Sequence, residues 1–322
     1  MIIPHITVVG SYATGLTLKV KRLPSPGETV LASGYRVDHG GKGSNQAVAC
    51  VRLGAEVTFI ARIGKDTFGE MAVPLYRNEG IDIASLYQTA EQVTGVGFIL
   101  VEAGTGNNCI ALDPGANELL SVSDVAHCDG RFQTASVVLT QLEIPVEAAE
   151  AALSRGRTHG AITILNPAPV RPLPISVLQL VDVLTPNQTE AKVLTGRSPD
   201  AGTEPEEVAH DLLRAGVKTV VMTLGEKGAL IVSASLSKFI PATRQIAVDT
   251  TGAGDAFNAG LATSLAGGES LESAVEFAVI TGGLAVTKEG VIPSLPTRKE
   301  VAQFYADRNL VAPKWLSLDR TK

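Results

Sequence analysis

Short apolar runs rich in β-branched residues alternate along the chain with longer stretches whose apolar residues recur at helical spacing. Runs at 6–9 and 57–60 read as strands, and the helix-compatible segment between them, 44–53, is stopped by Gly54. Asp66 is placed to cap a helix running to about Asn78, which Gly80 closes. Farther on, strands are predicted at 137–140, 162–165, 181–184 and 219–223, with helices at 146–155 and 205–215 among them. Such alternation predicts an α/β fold: a central, mostly parallel sheet with helices on both faces. Ligands in sheets of this kind bind beyond the carboxyl ends of the strands.

Two segments, 16–37 and 94–112, leave this rhythm. They carry period-two runs such as Thr17-Leu18-Lys19-Val20 and Val96-Gly97-Phe98-Ile99-Leu100, and Ala103-Gly104-Thr105-Gly106-Asn107-Asn108 looks like a hairpin turn. A small β-sheet set off from the main layer is predicted, serving as a lid, a dimer surface or both. The last dozen residues, 311–322, read as a loosely held tail.

Composition narrows the class without naming it. The 322 residues are 45% hydrophobic and 19% charged, a globular balance, and the length allows one large α/β domain or two smaller ones. A net charge of -6 argues against nucleic acid as the main partner, and no basic tract invites anionic lipid. No apolar run approaches the length that spans a bilayer. Cys50, Cys109 and Cys128 are scattered without metal or redox spacing, and the opening residues are too short for a secretory core, which fits a reducing, cytoplasmic setting.

Candidate chemistry concentrates in Val248-Asp249-Thr250-Thr251-Gly252-Ala253-Gly254-Asp255-Ala256-Phe257, followed by an apolar, helix-compatible run to Ala266. Small residues let the backbone turn tightly and present N–H groups at a helix start, where a phosphate or developing oxyanion is favoured. Asp255 stands there either as an N-terminal cap or as a general base toward a hydroxyl. A second Gly-rich stretch, Gly40-Gly41-Lys42-Gly43-Ser44-Asn45-Gln46, is either a plain turn or a ligand cradle. It is not a Walker A loop, because Gly43 follows the Gly-Lys pair, and the dinucleotide fingerprint is missing too. Glu143, Asn187 with Glu190, and the turn Thr223-Leu224-Gly225-Glu226-Lys227-Gly228 each follow a predicted strand. Each has an ordinary reading as a solvated loop acid, a helix cap or a hairpin.

Together and in this order, 40–46 and 249–257 resemble the two signatures of the ribokinase (PfkB) family of ATP-dependent carbohydrate and nucleoside kinases. Gln141-Leu142-Glu143, Asn166-Pro167-Ala168-Pro169, 186–190 and 223–228 add to a similarity covering 10–296. The resemblance implies a single ribokinase-like three-layer sandwich over 1–322, with a β-sheet lid from about 11–40 and 94–113 that commonly also forms a homodimer contact. It makes Asp255 the base, with Gly252, Ala253 and Gly254 as the anion hole. Gly41, Lys42, Asn45 and Glu143 would hold the sugar; Asn187, Gly254 and Thr223, Leu224, Gly225, Glu226, Lys227 and Gly228 would hold ATP. Glu190 would organise Mg²⁺ through water, and Asp249, Thr251, Ala285, Lys288, Gly290 and Ser294 match a K⁺ loop served mostly by backbone carbonyls.

The expected reaction moves the γ-phosphate of ATP to a primary hydroxyl of a pentose or similar sugar. A nucleoside acceptor is the alternative within the family, weakened by an aromatic content of only 4%, and a catalytically idle sugar sensor is the alternative outside it. One departure bears on the acceptor. After Gly10-Ser11, ribokinases carry an Asn and an Asp that grip sugar hydroxyls, where this chain has Ala13 and Gly15. Tyr12, Thr14 and His39 are the candidates to compensate, His39 having a plain reading as a solvated lid residue.

Overall fold

The computed structural model describes residues 3–105 and 107–316. In chain order the strands are β1 (His5–Val9), β2 (Ala13–Val20), β3 (Ala32–Gly40), β4 (Glu56–Gly64), β5 (Leu86–Thr89), β6 (Gly95–Glu102) and β7 (Asn108–Asp113), then β8 (Val137–Thr140), β9 (Ile162–Leu165), β10 (Val183–Leu184), β11 (Thr219–Thr223), β12 (Gly228–Ser233) and β13 (Ser237–Pro241). Nine of them form one sheet in the order β13-β12-β11-β10-β9-β8-β1-β4-β5. From β5 to β11 every pairing is parallel, and β12 and β13 add an antiparallel edge.

Burial on both faces explains why these strands read as continuous apolar runs. Val8 packs into the cluster with the helices Lys42–Arg52, Ala253–Ala266 and Leu271–Ala285, while its neighbour Val9 packs on the other side with Phe132 and Ala149. Ile164 and Leu165 divide in the same way. Helices on both faces of the sheet make the three layers expected.

Asp66 accepts from Gly69 N at 2.8 Å and Gly80 closes the helix Thr67–Glu79 in the left-handed region, both as expected. Two helix starts come earlier than the apolar pattern suggests. The helix expected at 44–53 begins at Lys42, and the one expected from Ala256 begins at Ala253, because glycines at 41 and 252 (φ 87° and 83°) turn the chain directly into them. Strand β10 is shorter than expected, since Val181 N is spent on Leu178 O in the turn before it.

The two departing segments form a separate four-stranded sheet, β3-β2-β6-β7. The expected hairpin joins β6 to β7, with Glu102 N donating to Asn107 O at 2.8 Å; Gly106 within it lies outside the described residues.

The tail differs from expectation over 311–316. Trp315 and Leu316 are buried, and the Trp315 ring meets Phe277 edge-on at 5.1 Å. Arg298 pins the segment by donating to Trp315 O at 2.6 Å and Leu316 O at 3.0 Å. One large aromatic ring docked on Phe277 outweighs the lack of any periodicity. Residues 317–322 lie outside the described residues. Trp315→Ala is expected to cost about 3–5 kcal/mol, the usual range for emptying a buried aromatic site. Urea unfolding checks this, and an unmoved midpoint would mean the tail is merely laid on the surface.

Candidate active site

The carboxyl ends of β8 to β11 converge with two helix starts, and the candidate residues gather there. Gly252 opens the helix Ala253–Ala266 at a φ that L side chains rarely adopt, and a Cβ on it would sit 2.9 Å from Val291 Cγ1. Asp255 therefore falls in the first turn and does not cap the helix. The N–H groups of that turn have no intrahelical carbonyl to bond. Asp255 is 6% exposed, with Asn45 Nδ2 donating to its Oδ2 at 2.8 Å and Gln46 Nε2 to its Oδ1 at 2.9 Å. Both amides come from the helix that Gly41 opens.

A buried polar chain runs behind this pair. Gln141 Nε2 donates to Gln46 Oε1 at 2.6 Å, and Gln46 Nε2 also reaches Asn166 Oδ1 at 3.2 Å. Asn166 donates to Thr185 O, the Thr185 hydroxyl to Asn258 Oδ1 at 2.6 Å, and Asn258 Nδ2 to Gly254 O at 2.8 Å. The chain thus links the amide that orients Asp255 to the turn that holds it. Gln46, Gln141 and Asn166 stand in the matching motifs without a role of their own, and Thr185 and Asn258 were given none; the available signal was amide and hydroxyl side chains inside otherwise apolar runs.

On the acceptor side, backbone meets backbone. A Cβ on Gly41 would lie 2.7 Å from Tyr12 Cα and Ala13 N, and one on Gly43 would lie 2.5 Å from Ser11 N. This contact brings Lys42 beside Glu143, whose Oε2 accepts from Ser11 Oγ at 2.6 Å and Lys42 N at 2.8 Å. Burial works to lower the Lys42 pKa, but the carboxylates of Asp255, Glu143 and Glu190 more than offset it and hold the ammonium charged. Asn45 Oδ1 is buried without a partner among the described residues and could accept from a ligand hydroxyl. Beyond Glu143 a cavity of about 90 Å³ opens against Ala13, Leu112, Asn117 and Arg171.

Tyr12, Thr14 and His39 do not fill the space that Ala13 and Gly15 leave. Thr14 pairs with His39 across β2 and β3, so both point away from the face carrying Ala13 and Gly15. The Tyr12 hydroxyl bonds His39 Nδ1 at 2.9 Å, and Tyr12 meets Tyr76 edge-on behind the site. His39 is half-buried and partnered, not solvated, and burial lowers its pKa.

On the other side of the Gly252 turn, a cleft of about 630 Å³ reaches from Ala253, Gly254 and Phe257 to Asn187 and the β11–β12 turn. Thr223, Gly225, Glu226 and Gly228 line it, whereas Leu224 packs on the apolar cluster beneath and Lys227 is not among its lining residues. The turn is also a hairpin between antiparallel strands, so its ordinary reading holds as well. Thr243, Arg244, Gln245, Gly282 and Gly283 complete the walls. Thr243, Arg244 and Gln245 sit in a loop that carries no pattern, and Gly282 and Gly283 lie inside an apolar helix, so no sequence signal marked them.

Asn187 and Glu190 form a reciprocal capping box, each accepting from the other's N–H at 2.8 Å. Burial raises the Glu190 pKa despite the Asn187 N–H and Lys42, and its Oε1 has no partner among the described residues. Asp249 accepts from Thr251 N at 2.9 Å and Gly290 N at 3.0 Å, tying the loop before the helix to the loop after Leu271–Ala285. Burial acts to raise the Asp249 pKa, but those N–H groups and Arg36 outweigh it and lower the pKa. Ala285 is buried at the end of its helix and the Ser294 hydroxyl donates to Val291 O, while the Lys288 side chain turns away to Glu300.

The model of the pfkB family carbohydrate kinases matches residues 4–298, and the chain belongs to this family. Ribokinase of Haemophilus influenzae is 37% identical over 302 residues, 93% of this chain and 97% of that protein. The structure of ribokinase from Thermotoga maritima superposes with a TM-score of 0.85 at 34% identity, covering 95% of this chain and 100% of that one. Arabidopsis thaliana ribokinase, solved with ribose and ATP, gives a TM-score of 0.84 at 29% identity, covering 98% and 100%. As a member of the family, the chain is an ATP-dependent sugar kinase.

Proposed function

We propose that this kinase transfers the γ-phosphate of ATP to a primary hydroxyl of a pentose or closely related sugar, with Asp255 as general base. The observation that carries this reading is the Asp255 carboxylate, buried and oriented by Asn45 and Gln46 next in the chain to Gly254, which lines the larger cleft. The relative solved with ribose and ATP supports a pentose and that nucleotide.

In the proposed reaction the acceptor hydroxyl gives its proton to Asp255 as its oxygen attacks the γ-phosphorus. The bond to the β–γ bridging oxygen breaks, ADP leaves, and the first-turn amides of Gly252, Ala253 and Gly254 stabilise the transferring group. Gly41, Lys42, Asn45 and Glu143 hold the sugar, and the cleft from Gly254 to Asn187 and Thr223 holds ATP. Mg²⁺, when bound, would neutralise phosphate charge; Glu190, with one free carboxylate oxygen beside Lys42, fits holding it through water. The loop of Asp249, Thr251, Ala285, Lys288, Gly290 and Ser294 offers a carboxylate, a hydroxyl and main-chain carbonyls, an all-oxygen set suited to K⁺.

The four-stranded sheet would close over the acceptor. Its outward side exposes Tyr35 (79%) and Phe98 (50%), apolar area that fits a homodimer contact. No helix among the described residues is long and apolar enough to cross a membrane, and the scattered free cysteines fit a cytoplasmic setting.

A panel of pentoses, hexoses and nucleosides assayed for ADP release tests the reading. Pentoses are expected to support turnover, and turnover confined to nucleosides, or none, would overturn it. K⁺ is expected to activate several-fold over Na⁺ or a bulky organic cation; equal rates in all three would mean that the Asp249 loop holds no ion.

A further inference from the structure

The register of the four-stranded sheet shapes a recess on the side facing the acceptor. Gly15 pairs with Asp38 on one side and with Gly97 on the other, and Gly97 pairs with Leu112. These four residues form one row across β3, β2, β6 and β7, and side chains in a row share a face. Two adjacent glycines make its floor bare backbone. Asp38 stands at one end and Leu112 at the other.

Both flanks show that this face looks at the site. One pair along β2 is Ala13, which with Leu112 of the row itself lines the cavity that Glu143 and Arg171 complete. One pair the other way, Thr17 is opposite Arg36, whose guanidinium reaches Glu289 at 3.2 Å and would lie 3.7 Å from a Cβ on Gly290, over the Asp249 loop. The Asp38 row lies between these flanks. Arg36 Nε donates to Asp38 Oδ2, and Asp38 Oδ1 has no partner among the described residues. The carboxylate is oriented, half-buried, and has an oxygen to spare.

We propose that Asp38 is a specificity-determining residue that accepts a hydrogen bond from a sugar hydroxyl remote from the one phosphorylated, with the Gly15–Gly97 floor seating the ring and Leu112 covering its apolar face. Arg36 is a positioning residue that holds the carboxylate. This rests on the reading of the site as a sugar kinase. It gives the acceptor a polyhydroxyl edge, since a buried acceptor without its hydroxyl rejects the deoxy analogue.

The test uses D-ribose and its 2-deoxy and 3-deoxy analogues as acceptors for the wild type, Asp38→Asn, Asp38→Ala and the double variant Asp38→Ala/Gly15→Asp. Both single variants are expected to raise the acceptor KM about 10- to 100-fold, the usual weight of a hydrogen bond to a charged group. The KM for ATP should stay within about twofold, and the preference for the hydroxylated sugar over one deoxy analogue should disappear. A Cβ at Gly15 would meet nothing closer than 3.8 Å, so the double variant is expected to recover part of the acceptor affinity by regrowing the carboxylate from the facing strand. An unchanged acceptor KM in both single variants overturns the proposal. So does a parallel rise in the KM for ATP with loss of K⁺ activation, which would make Asp38 only an anchor for Arg36 over the Asp249 loop. A wild type that turns over nucleosides but no sugar overturns the underlying reading instead, and this assignment with it.

Discussion

Asp255→Asn is expected to cut kcat by about 10²–10⁴-fold, the usual contribution of a positioned general base. The substitution keeps the side chain's size but puts an amide where two amides already donate, from Asn45 at 2.8 Å and Gln46 at 2.9 Å. One of those bonds must be lost. The cleft proposed for the nucleotide lies on the other side of the Gly252 turn, so ATP affinity should hold within a fewfold. Steady-state turnover at saturating acceptor, with calorimetric titration of ATP, separates the two effects. Near-normal turnover would remove Asp255 from the chemistry.

Gly252→Ala is expected to lower kcat by about 10²–10³-fold, as losing a preorganised oxyanion donor does elsewhere. A Cβ there meets Val291 Cγ1 at 2.9 Å, and the residue sits at φ 83°, which side chains adopt only at a cost of about 1–3 kcal/mol. The turn would relax by rotating the first-turn amides away from the phosphate. Turnover should fall far more than thermal stability does. A variant with a lowered melting temperature but intact kcat would show that this glycine serves folding alone.

Much of the fold was legible in the sequence because the sheet is buried on both faces, so its strands read as unbroken apolar runs and its helices as periodic ones. Caps at Asp66 and Gly80 followed local backbone rules and needed no tertiary information. Helix starts were misplaced at 41 and 252, where a positive-φ glycine sets the boundary and leaves no hydrophobic trace. The tail was misread because Trp315 docks against Phe277 and Gly267, contacts that no local pattern encodes.

At the site, composition marked Asp255 and the two Gly-rich turns only as candidates, and their joint resemblance to the family signatures gave them roles. What stayed hidden was facing. Tyr12 and Thr14 neighbour the missing side chains in sequence, yet they and His39 point to the opposite side of the sheet, while Asp38, a strand away, shares the face of Ala13 and Gly15. Strand pairing, which sequence spacing does not give, decides such matters.

The amide relay behind Asp255 has a consequence for how the enzyme resets. Gln46 receives on its oxygen from Gln141, so its nitrogen can only give, and both of its hydrogens are committed inward to Asn166 and Asp255. Asn45 closes off the other carboxylate oxygen in the same manner. In the proposed mechanism, a proton taken up by Asp255 must settle on a lone pair that these two amides leave free. The proposed base would then be reset from its ligand side, because its protein side is already taken up by donors.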